Sequence, residues 1–350
     1  MISLSEITQI EFGVTSNCNA ACPLCARQLI GTSNLDPNIA LNNLSLDLFK
    51  KITDDLGNDA THINADFCGT VGDIIAHPQA EEIITYASKH YKETNLHTNG
   101  SAKSKVFWAN IAKLDNVHVT FSIDGLEDTN NIYRINTNFS TIIENAKTFI
   151  NAGGYAIWKF IKFSHNEHQT DIAKKLAFDL GFKQFTTIPS TRWVLPKVDV
   201  TKDAYKRKIN KTSKSIELKP ASDSNLVKSI WYREFKFKEI NCRTIADKYV
   251  YIDETGKLWP CCHFHSHYAA KRPSFIDFWK NIENYYGKDF NSLINNTVKQ
   301  VLESEFFKEY LQESFTNPDK VCYRCIQTCS VDKELQRTND YKKYNFFDKN

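Results

Sequence analysis

The stretch QIEFGVTSNCNAACPLCAR, residues 9–27, joins an alternating run to three closely spaced cysteines. Ile10, Phe12 and Val14 fall on one face of an extended segment, which is the period-two pattern of a half-covered strand. The run then breaks into a loop that carries Cys18, Cys22 and Cys25 in a C-x3-C-x2-C spacing. A structural metal site normally takes four protein ligands. Three thiols imply either a missing partner or a coordination position left open.

The segments that follow repeat a strand–helix alternation. SLDLFKKITDDL (45–56) opens at an N-capping Ser45 and carries apolar residues at helical spacing. HINADF (62–67), TNLHTN (94–99), VHVTFSI (117–123), YAIWKFIKF (155–163) and KQFTTI (183–188) read as strands. Residues 77–91, 101–114, 139–154 and 168–182 read as the helices between them, with glycines stopping the last two. Such a succession predicts a parallel sheet with right-handed crossovers, closed or partly closed into a (β/α)6 barrel. Sites in barrels of this kind lie at the C-terminal ends of the strands. The cysteine loop, the CGTVGD turn (68–73), Thr98-Asn99-Gly100, Ser122 with Asp124, His165-Asn166 and Pro189-Ser190 all follow strand ends, so they are expected at one mouth.

With 350 residues, 41% hydrophobic and 13% aromatic, the chain can bury a substantial core. A net charge of +3 is too mild to argue for nucleic acid or an anionic membrane. The lysine-dense stretch 202–215 is read as a solvated loop. No apolar run is long enough to span a membrane, and the N-terminus lacks the pattern of a signal peptide, so a cytoplasmic location is expected. Cysteines of such a compartment serve as metal ligands more readily than as disulfides. Cys68 stands alone and is expected to be a small buried residue.

The expected organisation is a barrel over residues 1–195, a bridging segment over 196–240, a small α+β unit over 241–335 and a polar tail over 336–350. KYVYIDETGKLWPCC (248–262) predicts two short strands around a Thr255-Gly256 turn. Helical patterns follow near 274–286 and 296–312. His263, His265 and His267 alternate and would share one face of a strand.

Three thiolates around an iron–sulfur cube leave one iron open. On these residues the chain resembles the radical SAM superfamily, in which the open iron is chelated by the amino and carboxylate groups of S-adenosylmethionine. The resemblance implies that Cys18, Cys22 and Cys25 hold a [4Fe–4S] cluster. It implies that Gly72-Asp73 meets the methionine amino group, with Asp where the family commonly has Glu. FSIDG (121–125) resembles the segment whose serine, here Ser122, contacts the ribose, with Asp124 beside it. Arg134 matches an arginine that pairs with the methionine carboxylate, a task suited to its planar fork. Leu24, Asn99 and Asn166 complete the implied cofactor site. Cys242 and Cys261, in a C-x13-G-x4-C arrangement, and Cys322 and Cys325, in a C-x2-C, resemble the twitch or SPASM extension of some members. One auxiliary [4Fe–4S] cluster on these four is implied, with Cys329 as an alternative ligand and a zinc ribbon as the alternative site.

The implied activity is reductive cleavage of S-adenosylmethionine to a 5′-deoxyadenosyl radical that abstracts hydrogen from a small natural product or a peptide. The implied electron donor is a flavodoxin or ferredoxin, and Cys262 is the candidate catalytic side chain, donating a proton or hydrogen atom. The N-terminus shows no leader-binding domain ahead of the first strand, which favours a small molecule or a partner-delivered peptide. A ribosomal-peptide maturase is the alternative within the superfamily; a non-catalytic iron–sulfur or zinc protein is the alternative outside it.

Overall fold

The computed structural model describes residues 2–29, 31–190, 206–208, 215–222, 237 and 239–330. Most of the expected bridging segment and the whole of the expected polar tail lie outside these described residues. Six strands, β1 (Gln9–Phe12), β2 (Asn64–Cys68), β3 (Glu93–Thr98), β4 (Val117–Ser122), β5 (Tyr155–Lys162) and β6 (Gln184–Pro189), pair in parallel and in chain order. The helices α1 (Leu46–Leu56), α2 (Ala80–His90), α3 (Lys105–Ile111), a short α4 (Asn130–Tyr133), α5 (Phe139–Asn151) and α6 (Thr170–Asp179) connect them. This is the expected mixed α/β architecture with a partial barrel of parallel strands. Ser45 caps α1 by accepting from Leu48 N, Ser104 caps α3 and Asn138 caps α5, so these helices start where polar caps precede apolar spacing.

The two faces of this sheet differ in chemistry. The outer face, turned toward the helices, carries Ile10, Phe12, Ala65, Phe67, Leu96, Val119, Phe121, Trp158 and Phe160, each at most 1% exposed. Phe12 packs among Phe49, Phe67 and Tyr91 with ring centroids 5.2, 5.6 and 5.9 Å away. The inner face carries Gln9, Glu11, Asp66, Cys68, His97, His118, Ser122 and Lys159, all only partly buried. Alternation thus places an apolar core outside the strands and a polar, solvent-reached lumen inside them. Cys68 belongs to this lumen rather than to the core, because its parity in β2 is that of Asp66.

A short antiparallel pair, β7 (Lys206–Lys208) and β8 (Ser215–Glu217), lies beyond β6. The predicted hairpin forms as β9 (Tyr249–Ile252) and β10 (Leu258–Trp259), turning at Gly256 with φ of +79°. Asp253 holds the turn: its Oδ1 accepts from Thr255 N and Lys257 N, and its Oδ2 from Trp259 Nε1. β9 runs parallel to β1, with Glu11 opposite Tyr251, and extends the barrel sheet to eight strands. The C-terminal unit therefore shares a sheet with the barrel.

Beyond the hairpin, helices Cys262–Ala269 and Pro273–Tyr286 pack their aromatic side chains around Trp279, whose ring is 4.7 Å from Trp259 and 5.7 Å from both Phe290 and Phe306. The single helix expected over 296–312 is divided into Val298–Leu302, a π-turn at Phe306–Tyr310 and Leu311–Ser314. Ser304 donates back to the Val301 carbonyl, and this local bond competes with the helical ladder. The three alternating histidines sit on a helix, not on a strand, so neighbours two apart point about 200° from one another. His265 is buried 3.2 Å from Glu254, whereas His263 turns to Arg324 at 3.3 Å.

Candidate cluster and cofactor site

The loop after β1 is tied down before its thiols come into play. Ser16 Oγ donates to the Ala40 carbonyl and Asn42 N donates to Ser16 Oγ, both at 2.7 Å. Arg27 Nε donates to the Ser16 carbonyl at 3.0 Å, and Ala21 N to that of Ile135 at 2.9 Å. Between these anchors Cys18, Cys22 and Cys25 stand close enough to influence one another's ionisation. Leu24 is buried with Ala20, Cys22, Tyr133 and Phe163, so its side chain packs the loop against the ends of α4 and β5.

The strand-end residues form two networks around this loop. In the first, Asp73 Oδ2 accepts from Thr98 Oγ1 at 3.1 Å, Asn99 N at 2.9 Å and Asn99 Nδ2 at 2.8 Å, while Oδ1 accepts from Ile75 N. Asn99 Nδ2 also lies 3.7 Å from Cys18 Sγ. Burial raises the Asp73 carboxyl above its usual range, against these donors. Gly72 seals the network to the cysteine loop: a β-carbon there would lie 1.8 Å from the Thr15 carbonyl oxygen.

In the second network Arg134 Nε donates to Asp124 Oδ2 at 2.6 Å, and Arg134 Nη1 lies 3.8 Å from Cys22 Sγ. Asp124 is fully buried, and its Oδ1 accepts from Ile161 N at 2.6 Å. Asn166 donates to the carbonyls of Asp124 and Ile161 and accepts from Phe163 N. The groups of Asp124 and Asn166 are thus spent on aiming Arg134 and on joining the ends of β4 and β5. Ser122 ends β4 on the inner face, in register with Lys159.

The donor set fits an iron–sulfur cluster. Burial is the main cause that pushes the Cys18 and Cys22 thiols up, Cys22 to about 11, and the Arg134 guanidinium only partly opposes it at Cys22. Buried thiols of this kind become thiolates when a metal supplies the positive charge. Among the described residues no three such side chains meet at a single-ion position.

A second thiol group lies in the C-terminal unit. Cys242 precedes helix Arg243–Asp247, Cys261 precedes helix Cys262–Ala269, and Cys322, Cys325 and Cys329 belong to the start and one face of helix Tyr323–Cys329. Cys261 feels Cys242 and Cys329, and Cys325 feels Cys322, Cys261 and Cys329. Cys329 stands inside this group with the other four, and its thiol is pushed up to about 11 by burial. Cys262 points elsewhere, forming a side-chain hydrogen bond with Glu11 on the barrel's inner face.

Sequence reasoning overlooked Glu11, Asp66, Asn95 and His97. Their signal was present as the polar parity of the same strands whose apolar parity was read. Asp66 accepts from Gln9 Nε2 at 3.0 Å and has His97 Nε2 3.1 Å from its other oxygen. Burial, and then the neighbouring Asp66 charge, push the Glu11 carboxyl up to about 8.

Residues 242–326 match the model of SPASM, an iron–sulfur cluster-binding domain. No curated protein matches the chain. Among solved structures the chain is similar to Streptococcus suis SuiB bound to precursor peptide SuiA, at 12% identity and TM-score 0.56, covering 97% of this chain and 74% of that one. It is also similar to native anSMEcpe with bound AdoMet and Kp18Cys peptide, at 14% identity and TM-score 0.55, covering 97% and 96%. Native anSMEcpe with bound AdoMet gives 15% identity and TM-score 0.54 over the same shares. The fold is a partial barrel like that of these AdoMet-bound and peptide-bound structures. Its C-terminal part is a SPASM-type iron–sulfur unit.

The Gly72 contact carries a prediction. Gly72→Ala should push the cysteine loop off the strand-two turn and lower iron content to about four per chain, the auxiliary cluster alone. Iron analysis after anaerobic reconstitution reads this directly; a full complement of iron in the variant would contradict the role given to the contact.

Proposed function

We propose that the chain is a radical SAM enzyme acting on a peptide or a small natural product. The observation that carries this reading is the convergence of three thiols on one anchored loop, with Asn99 Nδ2 3.7 Å from Cys18 Sγ and Arg134 Nη1 3.8 Å from Cys22 Sγ. A plain electron carrier needs neither an open iron nor a guanidinium held beside it. When bound, the cluster and S-adenosylmethionine supply a one-electron cleavage that yields a carbon radical able to take a hydrogen atom from substrate.

The chain's own residues then bind, orient and enclose. Asp124 fixes Arg134 so that its fork faces a carboxylate without a search for geometry. By lone-pair count Asp73 Oδ1 keeps one acceptor position beyond its bond to Ile75 N, which suits an amino group. Ser122 and Leu24 are assigned to the nucleoside side of the cofactor, and Gly72 and Asn99 to its close approach. In the SPASM-type unit Cys242, Cys261, Cys322 and Cys325 are assigned to one auxiliary [4Fe–4S] cluster, with Cys329 the fifth thiol of the group. A flavodoxin or ferredoxin would supply the electron.

The bound peptides of SuiB and anSMEcpe support the peptide reading of the substrate. Cys262 is assigned as a hydrogen donor to the substrate because its hydrogen bond to Glu11 brings it to the lumen face. No helix among the described residues is long and apolar enough to cross a membrane.

The test is anaerobic reconstitution, then dithionite and S-adenosylmethionine. The wild-type chain should bind about eight irons and form 5′-deoxyadenosine, and the Cys18/Cys22/Cys25→Ala chain should keep about four and form none. A wild-type chain with both clusters intact and no 5′-deoxyadenosine would falsify the enzyme reading. Cys262→Ala should change the product or slow turnover while leaving the iron content whole; unchanged product and rate would remove the donor role.

A further inference from the structure

The inner face of the barrel gathers a row of oxygen acceptors at one level. Strand pairing puts Glu11 of β1 opposite Asp66 of β2, and Asp66 opposite Asn95 of β3. These three side chains therefore stand side by side inside the barrel. Asn95 is 5% exposed, and its Oδ1 is buried with no hydrogen-bond donor among the described residues. Asn64 Oδ1, one layer deeper in β2, is buried in the same condition. Asp66 Oδ1 has His97 Nε2 beside it at 3.1 Å. Buried acceptors are costly to leave without donors, so their repetition on one face calls for donors that the neighbouring side chains do not supply.

Taking the enzyme reading above as its basis, we infer that this level of the lumen binds a cationic, donor-rich group of the substrate, an ammonium or guanidinium, between Glu11, Asp66 and Asn95. The N–H groups of such a ligand answer the buried oxygens of this level, and its charge answers Asp66 and favours ionisation of Glu11 beside it. A neutral hydroxyl brings one donor and leaves the charge unanswered. An anion would meet two acids.

The protein's own compensation at this level is partial. Asp66 has Gln9 and His97 beside it. Glu11 has a hydrogen bond with the Cys262 thiol, and Arg243 is the weakest of the influences on it. Burial and then the Asp66 charge push the Glu11 carboxyl up to about 8, and a bound cation would offset the second of these. His118 completes the ring opposite Asn95, and Lys159 lies nearer the mouth in register with Ser122. A cation bound at this level therefore lies deeper than the rim. There it stands beside Cys262, which couples recognition to the side chain assigned as hydrogen donor.

The test uses the cluster-loaded protein and reads binding without turnover. Agmatine, which carries a guanidinium and an ammonium, is titrated calorimetrically beside N-pentylurea, a neutral chain of similar length. Agmatine should bind at least about tenfold more tightly, and Glu11→Gln and Asp66→Asn should each remove about tenfold of that affinity while leaving the urea unchanged. Asn95→Leu, which fills the lumen without altering charge, should block agmatine and keeps the test open if an acid substitution unfolds the chain. Agmatine binding no tighter than the urea, or binding unaltered in all three variants, would overturn the inference. A failure to form 5′-deoxyadenosine leaves this binding test intact, and absent agmatine binding leaves the cluster chemistry intact.

Discussion

No side chain fits at Gly72, because a β-carbon there would overlap the Thr15 carbonyl oxygen at 1.8 Å. This close approach presses the turn after β2 against the loop after β1. Asp73 N donates to the Asn17 carbonyl at 2.9 Å in the same contact, one residue before Cys18. From there Asp73 gathers Thr98 and Asn99, and Asn99 returns to Cys18 and Asn19. The position of the first thiol is thus set by backbone contact between two strand ends, which leaves little freedom for the loop to drift.

On the other side of the loop, buried charge does the positioning. Asp124 and Arg134 form an ion pair that is held out of water and bonded at both ends. Such pairs add little to stability, and their geometry fixes where each charged group stands. Here the specified object is a guanidinium beside Cys22, the middle thiol. Among the described residues the five thiols of the C-terminal unit have no comparable ring of strand-end groups, and the SPASM match covers all of them but Cys329. On the proposed reading, the difference between a site that takes a further ligand and one that holds only iron follows from these surroundings. Both sites ride on one continuous sheet, since β9 pairs with β1.

Much of the fold was legible because strands and helices announce themselves by period. Ile10, Phe12 and Val14, or the spacing around a Ser45 cap, need no tertiary information. The cysteine groups were legible from spacing alone. The acidic level of the lumen was not. Alternation tells that Glu11 shares a face with Gln9, but it does not tell whether that face meets solvent outside or a space enclosed by other strands. The pairing of β9 with β1 joins residues about 240 positions apart, which no local pattern encodes. His263, His265 and His267 misled because alternation in a segment as short as Cys262–Ala269 fits either period. Asp124 and Asn166 were correctly placed at the mouth, yet their hydrogen-bonding groups turn inward to the scaffold, a distinction that only three-dimensional bonding reveals.

The central claim is that the three-thiol loop leaves an iron open for a chelating ligand. Electron–nuclear double resonance on the reduced cluster of the Cys18 loop, with S-adenosylmethionine labelled at its amino nitrogen with nitrogen-15 and at its carboxylate with oxygen-17, tests it most directly. The account predicts hyperfine coupling of both labels to the cluster. A cluster signal that carries neither coupling, and does not change on addition of S-adenosylmethionine, would contradict it.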